Sequence, residues 1–299
     1  MTGTRVSSLN VYPVKSCRGV ELSEMAFNER GPMYDREWMV VGVDGRPFTL
    51  RSHPELATVQ PTVQDGALYL QSRIGTVSIA LDKTGQEVPV RLQKTSGTGT
   101  DQGAEADKYL TELTRKEARL LRIKQPRQLR PAYRASAEGW SDTVSFADST
   151  PLLLTCVESL RKLNEGIGPV YRVGMERFRP NIVVEGASAY AEDYWRQVSI
   201  GDVSATVVRA CARCPVVDIH QYFGVAPPSF HRDVMRELHD TRRGLDSGSG
   251  EKPKVFFGQN LVHRYVEGST ISLGDPVVVT ASSDYPNFVP LPSAYRTDV

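Results

Sequence analysis

The chain has 299 residues, 40% of them apolar and 24% charged, enough for a sizeable core and about two domains. A formal net charge of +1, with no dense block of Lys and Arg, gives no electrostatic case for nucleic acid or an anionic membrane as partner. No stretch approaches the ~20 apolar residues of a spanning helix, the N-terminus has no basic-then-apolar leader, and four cysteines at this length do not make a disulfide framework; a cytoplasmic protein without a membrane anchor is the expectation.

Residues 5–14 read as a strand, with Val6, Leu9, Val11 and Val14 partly alternating. Lys15-Ser16-Cys17-Arg18-Gly19 follows at the strand end, a cluster that makes either an anion cradle or a solvated turn. Tyr34-Asp35-Arg36-Glu37 leads into a buried strand at 38–43. Asp44-Gly45 marks a hairpin with 48–50 as its return strand, and Asp65-Gly66 a second hairpin between 62–63 and 68–70. With further short strands at 76–81 and 88–92, about the first ninety residues are β-rich, as in a small barrel or sandwich. Residues 95–103 read as a Thr/Gly/Ser loop, with Asp101 capping a helix that turns Ala106, Leu110 and Leu113 inward. A strand at 118–123 comes next. The polar, Pro-containing stretch 125–140 reads as a linker or a loop over a site.

A strand is expected at 143–147, then Asp148-Ser149-Thr150-Pro151 and the apolar run Leu152-Leu153-Leu154. Thr155 and Glu158 have capping-box spacing ahead of a helix carrying Leu160 and Leu163 and ending at Gly166. Phe178-Arg179-Pro180-Asn181 enters a strand at 182–184. Residues 197–200 and 203–210 form a hairpin about Gly201-Asp202, and the similar Gly274-Asp275 is read as a second hairpin turn. Residues 224–254 read as a surface insertion with a helical piece around Val234 and Leu238, strands at 256–262 and 270–279 close the sheet, and 282–299 is a tail. The fold class is mainly β with a few helices (α+β).

The strand at 203–210 delivers Cys211 and Cys214, with Arg213 beside the second and Pro215 after it. A cationic neighbour favours thiolate, the form that binds metal or attacks an electrophile. C-x-x-C is half of a zinc spacing, and the other half is absent; a redox pair would open a helix, whereas Pro215 and Val216-Val217 follow here. A buried, inert pair stays open. There is no G-x-S-x-G, phosphate-binding loop or H-E-x-x-H, and His220 is a lone candidate acid or base. Cations and hydroxyls cluster at strand ends: Lys15-Ser16, Arg36, Ser149-Thr150, Arg179 with Asn181, and Arg213-Cys214. A soft thiolate among several cations suits a polyanionic, metal-bearing cofactor.

Y-P-V-K-S-C-R-G (Tyr12 to Gly19), D-R-E-W (Asp35 to Trp38), F-R-P-N-I-V-V (Phe178 to Val184), Y-A-E-D (Tyr190 to Asp193), I-G-D-V (Ile200 to Val203), C-A-R-C (Cys211 to Cys214) and F-G-Q-N (Phe257 to Asn260) occur in this order. Together they resemble the MOSC family, in the branch of the amidoxime-reducing components. The resemblance implies two β-barrel-like domains: an N-terminal barrel over 1–124 and a MOSC barrel over 141–281, joined by 125–140, with the cofactor between them. It implies a molybdenum cofactor (Mo-molybdopterin) with Cys214 as metal ligand and catalytic residue. Lys15, Ser16, Arg36, Arg179 and Arg213 hold its pterin or phosphate, Asn181 lies in the same motif, and Ser149 and Thr150 complete the expected set. Cys17 and Cys211 become packing neighbours.

The branch reduces small N-hydroxylated compounds, such as amidoximes and hydroxylamines, by oxygen-atom transfer to molybdenum. With no fused iron–sulfur module in the chain, electrons are expected from a separate cytochrome or flavin/iron–sulfur reductase. Two other roles fit the same cysteine: a sulfur carrier with a persulfide on Cys214, and a non-catalytic cofactor binder. The chain departs from the branch pattern after the cysteine, with P-V-V-D-I-H-Q-Y-F-G at Pro215 to Gly224 in place of a hydroxyl-rich stretch, and with Ala212 where serine is common.

Overall fold

The computed structural model of the protein describes residues 3–92, 95–134, 137–225, 233–246 and 252–291. It is mainly β with a few helices. The largest sheet runs in neighbouring order Val20–Leu22, Arg5–Val11, Ile182–Glu185, Leu152–Cys156, Lys254–His263, Val203–Ala212, Trp195–Ile200 and Val277–Ser282. Pairing is antiparallel except between Leu152–Cys156 and Ile182–Glu185, which the helix Val157–Ile167 connects as parallel neighbours. The central strand Lys254–His263 is buried at nearly every position because both its faces are covered. Its Leu261 joins Val6, Leu9, Leu154, Ile182 and Val198 in one apolar core, and its Val255 and Phe257 pack in another with Leu163 and Phe178.

Residues 38–123 build a second body. Strands Trp38–Gly42, Ala118–Ile123, Thr95–Asp101 and Glu87–Leu92 form one sheet, and Gln60–Gln64, Ala67–Ser72 and Gly75–Ala80 another. The helix Ala104–Thr114 places Ala106, Leu110 and Leu113 in a core with Trp38, Val40, Leu56, Leu68 and Leu120. The strand pairing does not divide at residue 124. Arg5–Val11 pairs with Ile182–Glu185 in the largest sheet, and Glu24–Asn28 pairs with Thr270–Ser272 in a separate three-stranded sheet, so N-terminal strands pair with C-terminal ones.

Several local expectations give way to pairing. Thr95–Asp101 is a strand, held between Glu87–Leu92 and Ala118–Ile123. Its glycines admit close neighbours: a Cβ on Gly97 would lie 2.9 Å from Arg127 Cδ, and one on Gly99 would lie 2.8 Å from Leu121 Cβ. Asp101 accepts the Gly103 N–H at 2.7 Å, one residue before the helix. The Thr155/Glu158 capping box does not form. Pairing with Val184 carries the strand on to Cys156, which becomes the N-cap, and Glu158 instead accepts from Cys156 Sγ and the Gly186 N–H. The return strand expected at 48–50 is reduced to an isolated bridge between Pro47 and Val41, with the Phe48 N–H donating to the Val40 carbonyl at 2.9 Å. Gly274-Asp275 is a turn between strands with different partners, not a hairpin.

The segment 125–140 is more than a linker, because Arg127–Gln128 pairs with Thr143–Val144 and Leu129, Tyr133 and Ala137 are buried. Nor is 224–254 a surface insertion where it is described. The helix Asp233–Thr241 buries Val234 and Leu238 against Leu163, Phe178 and Val217. Strand Arg243–Asp246 bridges Lys254–His263 and Phe288–Pro290, so part of the expected tail is a strand too. Residues 226–232, 247–251 and 292–299 of those two expectations lie outside the described residues. Among the described residues, no helix is long and apolar enough to cross a membrane.

Candidate functional site

Loops at the ends of strands from both bodies enclose a cavity of about 370 Å³. All nine residues singled out from sequence, from Lys15 through Arg179 to Cys214, line it. Among the described residues its lining carries eight Lys and Arg side chains and two carboxylates, Asp148 and Asp246. Among the described residues a second cavity of about 420 Å³, with Tyr12 in its wall, has Arg18 as its one cation and no thiol, so the chemistry points to the first.

Three of the site residues have left-handed backbones: Ser16 (φ 73°), Arg36 (φ 48°) and Arg179 (φ 56°). Such conformations cost of order 1–3 kcal/mol for a non-glycine residue and persist where surroundings dictate them. Here the flanking bonds do so. Lys15 N–H donates to the Trp38 carbonyl at 2.8 Å, Arg36 N–H to the Tyr12 carbonyl at 2.8 Å, and Phe146 N–H to the Arg36 carbonyl at 2.9 Å.

Tyr12 organises two of the cations. The Arg36 and Arg179 guanidinium carbons lie 4.2 and 4.3 Å from its ring centroid, and its hydroxyl donates to the Pro180 carbonyl at 3.2 Å. Burial pushes the Tyr12 phenol up to about 12 and the Arg179 guanidinium down to about 10, so both keep their neutral-pH charge state. Asp35, buried, accepts from Arg36 Nη1 through both oxygens at 2.7 and 2.6 Å, and also from the Tyr12 N–H and Asn181 Nδ2. Asn181 has its amide spent on Asn10, Asp35, Arg36 and Leu153. It positions the cations and has no group left for a ligand.

Lys15 Nζ donates to the Phe146 carbonyl at 3.0 Å and to Asp148 at 2.7 Å. Burial lowers its ammonium below the usual range, and Asp148 opposes that. Ser16 Oγ reaches the Phe48 carbonyl at 3.4 Å, and Thr150 Oγ1 lies 2.9 Å from the Leu152 carbonyl. Ser149 Oγ and Arg213 Nε are buried without a hydrogen-bond partner.

The cysteines separate into two kinds. Cys17 and Cys156 are buried, and burial pushes each thiol up to about 12. Cys211 and Cys214 are half-buried and face the cavity. Arg213 does not serve Cys214: its Nη1 lies 3.0 Å from Cys211 Sγ and its Nη2 donates to the Phe178 carbonyl at 2.7 Å. The cation at Cys214 is Arg51, with Nη1 at 3.4 Å from the sulfur. Arg51 and Tyr12 are absent from the set read from sequence. Tyr12 stands inside the Y-P-V-K-S motif, whereas Arg51 has no local signal.

Beyond Cys214, Pro215–Asp218 forms a short 3-10 turn. The Asp218 carboxylate accepts the Val234 and Met235 N–H groups at 3.2 and 3.3 Å, joining the turn to the helix Asp233–Thr241. Val217 and Ile219 are buried, so this departure from the family pattern packs as a built spur, with Val216 and Val217 in the cavity wall. Among the described residues no group of three or more His, Cys, Asp and Glu could hold a metal ion.

Residues 3–117 match the MOSC N-terminal beta barrel domain, and residues 141–278 match the MOSC domain. Mitochondrial amidoxime reducing component 2 of Rattus norvegicus is 32% identical over 231 residues, 74% of this chain and 68% of that protein. The chain belongs to the MOSC family. Mitochondrial amidoxime-reducing component 1 of Mus musculus is 29% identical to this MOSC chain over 286 residues, 91% of this chain and 81% of that protein. Molybdenum cofactor sulfurase of Danio rerio is 27% identical over 305 residues, which is 95% of the MOSC chain and 35% of the sulfurase. The two domain matches together take in every residue of the cavity's sequence-derived set, Lys15, Ser16 and Arg36 in the first and the others in the second.

Proposed function

We propose that this MOSC protein holds a molybdenum–pterin cofactor in the cavity, with the Cys214 thiolate as the metal's protein ligand, and reduces small N-hydroxylated compounds. One observation carries the reading: a half-buried thiol and eight cations, drawn from both ends of the chain, line one cavity of about 370 Å³. The donor set fits such a group. A sulfur ligand suits molybdenum, the surplus cations suit phosphate and pterin edges, and the partnerless Ser149 Oγ and Arg213 Nε mark buried polarity that protein atoms do not satisfy.

In this reading Lys15, Ser16, Arg36, Arg179 and Arg213 hold the anionic oxygens, while Tyr12, Asp35 and Asn181 keep Arg36 and Arg179 in place. Ser149 and Thr150 complete the wall. The cofactor supplies two-electron oxygen-atom transfer. Each N–O bond cleaved consumes two electrons and two protons and releases water; the electrons come from a separate donor protein. The protein's share is to bind, to orient and to neutralise charge.

The test is reduction of benzamidoxime to benzamidine with a chemical electron donor, comparing native protein with Cys214→Ala. Turnover that depends on Cys214 supports the reading, and molybdenum-loaded protein without turnover sinks the reductase. A second reading draws on the sulfurase match across 95% of this chain: Cys214 carries a persulfide. Metal-free protein with a cyanide-labile sulfur on Cys214 would favour it.

A further inference from the structure

The cavity contains a second arginine–tyrosine cluster that the cofactor grip leaves unused. Tyr133, buried, carries the Arg209 guanidinium carbon at 4.3 Å from its ring centroid and that of Arg130 at 5.8 Å. This repeats the arrangement of Arg36 and Arg179 on Tyr12 with residues from other elements. Arg209 stands on Val203–Ala212, the strand that delivers Cys214, and Lys254 on the paired strand Lys254–His263. Tyr133 comes from the segment expected to be a linker.

Among the described residues the ion pairs at this cluster carry a surplus of positive charge. Asp246 takes Arg209 Nη2 at 3.2 Å and Lys254 Nζ at 3.0 Å, so one carboxylate faces two cations. The Arg209 side chain is 10% exposed, and its Nε has no hydrogen-bond partner. A guanidinium held this dry, on a ring and beside one carboxylate, is pre-organised for a planar anion, and charge interactions strengthen where water is excluded.

We propose that Arg209 and Lys254, on the Tyr133 platform, form a carboxylate subsite, so that the molecules reduced here are N-hydroxylated compounds that also carry a carboxylate. This rests on the reading of the cavity as the place of N–O reduction. The anion that such a cluster could otherwise take is the cofactor's own phosphate, and molybdenum content separates the two sources.

The experiment is isothermal titration of the purified full chain, without electron donor, with 4-carboxybenzamidoxime and with benzamidoxime. Molybdenum is measured on the same samples. The carboxylated probe is expected to bind roughly tenfold tighter or better, as one charge-assisted contact provides. Arg209→Met/Asp246→Asn, which removes the cation together with its buried partner, and Lys254→Met should each erase most of that preference and keep native molybdenum. Arg18→Met, at the second cavity, should keep the preference. Equal affinity of native protein for the two probes overturns the proposal, as does loss of molybdenum in the Arg209 or Lys254 variants. If native protein holds no molybdenum, the cofactor reading fails by itself, while the preference and its dependence on Arg209 rather than Arg18 still decide the subsite.

Discussion

Arg51 Nη1 lies 3.4 Å from Cys214 Sγ, across 163 residues of sequence. The adjacent Arg213 turns instead to Cys211 and the Phe178 carbonyl. Arg51 is exposed and lines the cavity with the thiol, so its guanidinium is available to a molecule bound beside the sulfur. Arg51→Met should therefore lower kcat/KM for benzamidoxime by roughly tenfold, the worth of one hydrogen bond to a charged group, with molybdenum content unchanged. Arg213→Met should instead reduce molybdenum content. Elemental analysis alongside steady-state kinetics separates the two.

Tyr12 supports Arg36 and Arg179 through its ring and Pro180 through its hydroxyl. Two cation–π contacts at about 0.5–2 kcal/mol each exceed the single phenol hydrogen bond. Tyr12→Phe should keep near-native molybdenum content, and Tyr12→Leu should lose most of it. Equal loss in both would place the effect on the hydroxyl.

Glu192 lies in the Y-A-E-D motif, fully buried beside Asp193, with Ser159 Oγ donating to it at 2.8 Å. Burial, then the charge of Asp193, pushes its carboxyl from 4.5 up to about 7. The native state therefore keeps a proton that the unfolded chain releases above pH 4.5. The stability this group contributes is fully present below pH 4.5, falls as pH rises towards 7, and is constant beyond. At 1.36 kcal/mol per pKa unit the span is about 3 kcal/mol. Glu192→Gln removes the titration, so its stability relative to native protein should rise by up to that amount between pH 4.5 and 8. Urea unfolding at the two pH values measures it, and a constant difference would contradict it.

Thiol alkylation should follow burial. Cys17 and Cys156, with thiols pushed up to about 12, offer almost no thiolate at pH 8, whereas Cys211 and Cys214 are reachable from the cavity. Iodoacetamide on native, metal-free protein should modify Cys211 and Cys214 and leave the other two. Mass spectrometry of the peptides reads this directly.

The site was legible in sequence where its residues follow strands and belong to motifs: Lys15-Ser16, Arg36, Arg179 and Cys214 all reach the cavity. Arg51 was not, because nothing in R-S-H-P indicates a partner 163 residues away. Asn181 reads as a ligand by its motif, but its four amide bonds make it a support. Among the elements, composition reads 95–103 as a loop, yet its glycines permit close packing in a strand. Strand partners were not legible either: alternation in Arg5–Val11 identifies a strand and says nothing of which sheet it joins, and its partner Ile182–Glu185 lies beyond residue 124.

Molybdenum content of protein expressed with molybdate, native against Cys214→Ala, tests the cofactor reading most directly. Stoichiometric molybdenum in the native chain, lost in Cys214→Ala while Cys211→Ala retains it, is the predicted result. Native protein without molybdenum, or a Cys214→Ala variant that keeps it, would contradict Cys214 as the metal's protein ligand.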